Sequence, residues 1–189
     1  MRQYSPSSWA AISVCIAALV HFALGFSIEF SVDEAHYALY AQHLAWSYFD
    51  HPPLVGWIQW PLISITSLEG IIRLIPEFLW VISCYLVYQV TLEIHHLIQG
   101  RNVGYLTSTL PAQNTCGLMA VLAIVAAPIP HVLAIGLLPD TLLTPLSLGL
   151  MLMALRWLSK EHFNVSDWVF TGVLLGLSGL SKYTAAFSA

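Results

Sequence analysis

The sequence predicts an all-α fold: a polytopic membrane helix bundle of about five transmembrane helices, with interfacial helices in its first loop. Three observations carry that prediction. Only 8% of the 189 residues are charged and 58% are hydrophobic, whereas soluble domains carry about 25% charged residues. Mean hydropathy is +0.75. Apolar stretches near the ~20 residues that cross a hydrocarbon core recur along the chain.

Residues 8–28 form the first span, too long for the apolar core of a cleaved signal peptide and preceded by one basic residue, Arg2. The second is expected over 75–94, with Pro76 tolerated in its first turn. The third covers 116–137 and holds Pro128 and Pro130, which remove backbone donors and predict a kink or break. The fourth covers 142–158 and the fifth 168–187, with Lys182 inside it. No repeat, low-complexity tract or long polar stretch is visible, so residues 1–189 read as one membrane unit.

Residues 29–74 form a loop that does not cross. Ser31 followed by Glu34 matches the capping box and predicts a helix from Val32 to about Tyr48. Its aromatic and polar residues, Tyr37, Trp46, His36 and His43 among them, suit a helix lying along the interface. The Asp50-His-Pro-Pro run stops it, because a proline biases the preceding residue out of the helical region. A second interfacial helix is expected over 54–65.

Alternating the spans puts Arg2, Arg101, Arg156 and Lys160 on one side, which the positive-inside rule makes cytoplasmic. Glu29, Asp33, Glu34, Asp50, Glu69 and Asp140 fall on or near the other. Arg73 and Lys182 lie with these carboxylates, either holding a substrate anion or paired with Glu69, Glu77 or Asp140. A net charge of −4 and the absence of a basic cluster exclude nucleic acid as a partner. Cys15, Cys84 and Cys116 lie in apolar runs without metal-ligand spacing. No nucleophile elbow or glycine-rich phosphate loop is present.

The adjacent carboxylates Asp33 and Glu34 need a reason at a membrane boundary, where charge is costly. Glu34 closes the capping box. Asp33, in the first turn, sits where the helix dipole favours a carboxylate, able to take a proton or face developing positive charge. Asp140, in the turn between spans three and four, either caps the fourth helix or joins the Asp33 site. His36, His43 and His51 leave a metal open but lack a zinc signature, and His21 reads as a helix-to-helix hydrogen bonder.

Ser31-Val-Asp-Glu-Ala-His-Tyr, Tyr48-Phe-Asp-His-Pro-Pro-Leu-Val, Leu138-Pro-Asp and Leu180-Ser-Lys-Tyr-Thr together resemble the dolichyl-phosphate-mannose protein mannosyltransferase and aminoarabinose transferase group. The resemblance implies a multi-pass inner or plasma membrane glycosyltransferase, its active site on the outer, periplasmic face. It would transfer a sugar from a polyprenyl-phosphate carrier to a lipid or protein acceptor, amid membrane lipid. Asp33 would then be the catalytic base with Glu34 beside it, and Lys182, Asp140, Arg73, His51 and Tyr37 would bind substrate. The resemblance fixes no cofactor and leaves a divalent metal ion open. Members of that group have about twice as many spans. The chain is therefore expected to be an N-terminal part, or to work with a chain supplying the missing half. A proton-coupled transporter, suggested by the prolines in span three with His21, Asp140 and Lys182, is the alternative from another class, and a non-catalytic membrane assembly partner a third.

Overall fold

The computed structural model describes residues 4–100, 110–160 and 162–187, and among these every regular element is helical. Arg2 and Arg101, two of the four cations assigned to the cytoplasmic side, lie outside the described residues.

Helix α1 spans Pro6–Gly25, opened by Ser5, whose side chain accepts from the Ser8 amide, and by a proline at its start. Its buried positions are Ala10, Ala17, His21 and Gly25, while Ile16, Leu19, Val20 and Phe22 are exposed. Small residues on the packed face and large apolar ones outside suit a helix whose outer environment is lipid. Helix α2 spans Val32–Gln42, α3 Leu54–Ile63, α4 Glu69–Ile72 and α5 Leu74–Gly100. Then come α6 (Gln113–Ala126), α7 (Pro128–Ile135), α8 (Pro139–Trp157), α9 (Val165–Ser181) and a 3-10 turn, Tyr183–Phe187.

Helix α5 is the hub, packed on one side against α8, with α9 beyond it, and on the other against α6 and α1. Helices α2 and α3 pack on each other at one end of this bundle, α3 also touching α8 and α9. Under them Tyr37, Tyr40, Val55, Leu137 and Leu142 form a buried core. Gly56 permits that close approach, since a Cβ there would lie 2.9 Å from the Tyr40 Cβ.

Among the described residues two helices, Pro6–Gly25 and the continuous stretch Glu69–Gly100, are long and apolar enough to cross a membrane. The α6–α7 pair is a third if taken as one broken span, bent by 72°. The break falls at Ala127, whose backbone is extended because Pro128 disfavours the helical region for the residue before it. The remaining two spans expected from the sequence fall on α8, which at 19 residues is not among the helices long and apolar enough to cross, and on α9, which at 17 residues is a shorter apolar helix.

Two boundaries correct the sequence reading. Helix α2 stops at Gln42, six residues short of Tyr48. Tyr48 instead folds back so that its ring stacks on Tyr40, centroids 3.6 Å apart and planes within 5°, and its hydroxyl donates to the Tyr40 carbonyl at 2.7 Å. A continued helix would have held the two residues about 12 Å apart along its axis. Lys182 lies just past the end of α9, not within it, because the helix closes at Ser181.

Candidate functional site

The polar residues singled out in the sequence gather at the α2–α3 end of the bundle, and three groupings divide the work.

The first is structural. The capping box forms as expected: Ser31 accepts from the Glu34 amide, and Glu34 Oε2 accepts from the Ser31 amide at 2.9 Å. The same carboxylate holds Arg73, Nε to Oε1 at 2.8 Å and Nη2 to Oε2 at 3.0 Å. Arg73 also donates to the carbonyls of Gly25, Ile28 and Glu29. All five guanidinium N–H donors are thereby used. Arg73 is only 4% exposed and Glu34 7%. The cation pairs with none of Glu69, Glu77 or Asp140; it joins the end of α1, the start of α2 and the α4–α5 junction. Neither residue has a surface left for a ligand.

The second grouping is a polar and aromatic network on the loop between α2 and α3. Asp50 accepts from the Tyr40 hydroxyl, and its Oδ2 lies 3.3 Å from His36 Nε2 and 3.2 Å from His51 Nδ1. The Tyr40 hydrogen bond, aided by His51, holds Asp50 well below the usual carboxylate range, at about 2. Burial first, and then its bond to Asp50, push the Tyr40 phenol up. Asp50 and Tyr40 were not among the sequence candidates; the signal available was Asp50 beside His51, with Tyr37 and Tyr40 one helical turn apart.

The third grouping holds Asp33, Asp140 and Lys182. Asp33 is exposed in the first turn of α2, and its carboxylate has no hydrogen-bond partner among the described residues, unlike Glu34 beside it. Asp140, at the start of α8, does not cap that helix: the Leu138 amide donates to Thr141 Oγ1 instead. Its carboxylate grips Lys182 Nζ at 2.7 and 2.8 Å. Ser47 and Tyr183 hydroxyls meet at 3.3 Å, tying the loop to the segment after Lys182. Tyr37 lies beside the second grouping. Its hydroxyl is 3.5 Å from His51 Nδ1, and burial followed by the charges of Asp50, Asp33 and Asp140 raises its pKa.

Among the described residues no group of three His, Cys, Asp or Glu side chains could hold a metal ion. His43 lies at the C-terminal end of α2, away from the Asp50 contacts that His36 and His51 make. No family model, curated protein or solved structure matches the chain.

Proposed function

We propose that the chain is the Asp33-bearing part of a membrane glycosyltransferase that moves a sugar from a polyprenyl-phosphate carrier to a lipid or protein acceptor. The observation that supports this most is the contrast between the paired carboxylates. Glu34 is saturated by Arg73 and the Ser31 amide, whereas Asp33 is exposed in the first turn of α2 with no hydrogen-bond partner among the described residues. In this reading α8 and α9 are the fourth and fifth spans, and the α2–α3 end faces the outside.

The chemistry follows from those residues. The acceptor hydroxyl or amine gives its proton to the Asp33 carboxylate as its heteroatom bonds the anomeric carbon. The bond from that carbon to the phosphate oxygen breaks, and its electron pair leaves with the phosphate. Lys182 has three N–H donors, two of them on Asp140; the third answers the charge growing on the leaving phosphate. Asp140 keeps the ammonium aimed. His51, partly exposed, donates to a sugar hydroxyl, and Tyr37, buried beside it, positions its ring. Glu34 and Arg73 hold the start of α2 in place and touch no substrate.

Transfer assays with a polyprenyl-phosphate-linked sugar test this division. Lys182→Met is expected to raise the KM for donor, and Asp33→Asn to lower kcat while donor binding persists. Normal transfer by a folded Asp33→Asn protein overturns the reading.

A further inference from the structure

A second cluster of titratable groups lies inside the bundle, apart from the site above. His21 on α1 is 4% exposed. Its Nδ1 is 2.9 Å from Glu77 Oε2 on α5, and its Nε2 is 2.6 Å from Nδ1 of His131 on α7. His131 Nε2 in turn is 2.8 Å from the Val125 carbonyl. That carbonyl sits in the last turn of α6, where the break at Ala127 leaves acceptors without helical partners.

Hydrogen-bond chemistry fixes the proton count. A carbonyl oxygen only accepts, so His131 Nε2 carries a hydrogen. Each of the two gaps, Glu77 to His21 and His21 to His131, needs one hydrogen, because facing lone pairs or facing N–H groups repel at these distances. Three protons result, one more than two neutral imidazoles bring. With the carboxylate included, the net charge is zero.

We propose that Glu77, His21 and His131 form an intramembrane proton-binding site, which holds one proton and passes it between the carboxylate and the far imidazole. The proton rests on Glu77 Oε2 with both rings neutral, on His21 with Glu77 ionised, or on His131 with Glu77 ionised and His21 neutral. Each move is a shift within an existing hydrogen bond, so no charge is added to the bundle. Losing the proton would leave an uncompensated anion between apolar helices, which is costly.

The surroundings offer two ends to such a wire. Glu77 Oε1 is buried with no partner among the described residues. At the other end both imidazoles line an apolar groove of about 460 Å³ between α1 and the α6–α7 pair. The other groups nearby do not neutralise the cluster. On α5, Trp80 sets its ring edge against His21, centroids 4.8 Å apart, and Cys84 is buried beside it with Ala17 and Ala134. Arg73, one turn before Glu77, is spent on Glu34, and Thr141 and Thr144 of α8, which line a small cavity beside Trp80, spend their hydroxyls on backbone carbonyls. This proton site stands independently of the glycosyl-transfer reading.

The test is spectroscopy of the chain in lipid nanodiscs at neutral pH. Nitrogen NMR of isotope-labelled histidine counts imidazolium rings, and infrared absorption counts protonated carboxyls. His21→Gln and His131→Gln assign the signals. The triad is expected to show one proton in total, as a single imidazolium or a single protonated carboxyl. That proton is absent from Glu77→Gln, whose amide donates to His21 Nδ1 and keeps the bonds. Two neutral imidazoles beside an ionised Glu77 in the unaltered chain overturn the proposal, and that reading needs no variant to fold.

Discussion

Arg73 holds three segments together through one guanidinium, so its removal should cost more than any surface cation. Arg73→Gln leaves Glu34 buried without its partner, a loss of about 3–5 kcal/mol for a broken buried pair, read as a drop in thermal stability in detergent. Glu34 was legible from its spacing to Ser31. Its partner was not, because 39 positions separate Glu34 from Arg73 and the carboxylates nearer in sequence were equally plausible. Asp50 makes a different prediction. Its folded-state pKa, about 2, lies below the ordinary 3.8. The stability it contributes is therefore present above about pH 4 and is lost as pH falls through about 2. Stability measured by unfolding across that acid range should fall less steeply for Asp50→Asn than for the unaltered protein.

Among the elements, the α2–α3 pair is where close packing can be tested. Gly56→Ala places a Cβ 2.9 Å from the Tyr40 Cβ, and overpacking of this kind costs about 1–3 kcal/mol. Gly172→Ala, on α9, meets nothing within 4 Å and should be stabilising by about 0.5–1 kcal/mol, as expected for a glycine replaced inside a helix. Thermal unfolding of both variants should move in opposite directions. The broken third span was legible because proline acts locally, through its own ring and the residue before it. The early end of α2 was not. Residues 43–48 have no helix breaker of their own, and Tyr48 is drawn away by a stack on Tyr40 that exists only once the chain folds back.

For the whole molecule, composition alone carried the helical membrane class, since so few charges cannot cover a soluble surface. The number of spans was harder to read. Helices α8 and α9 are short, and α8 carries Asp140 near one end and Arg156 near the other, so length and hydropathy do not separate a span from a buried helix there. The proposed topology predicts that a cysteine replacing Val32 reacts with an impermeant thiol reagent added outside intact cells, and one replacing Lys160 only after permeabilisation. Of the site, Asp33, Asp140 and Lys182 could be singled out in sequence as charges out of place. Which carboxylate takes Lys182 could not, because the Asp140 pairing depends on α9 packing back against α8. The measurement that bears most directly on the proposed function is the single-turnover rate of sugar transfer by Asp33→Asn with a polyprenyl-phosphate-linked donor bound. Loss of a general base predicts a fall of about 10²–10⁴-fold with thermal stability retained, whereas an unchanged rate in a folded protein would contradict the assignment of Asp33 as the base.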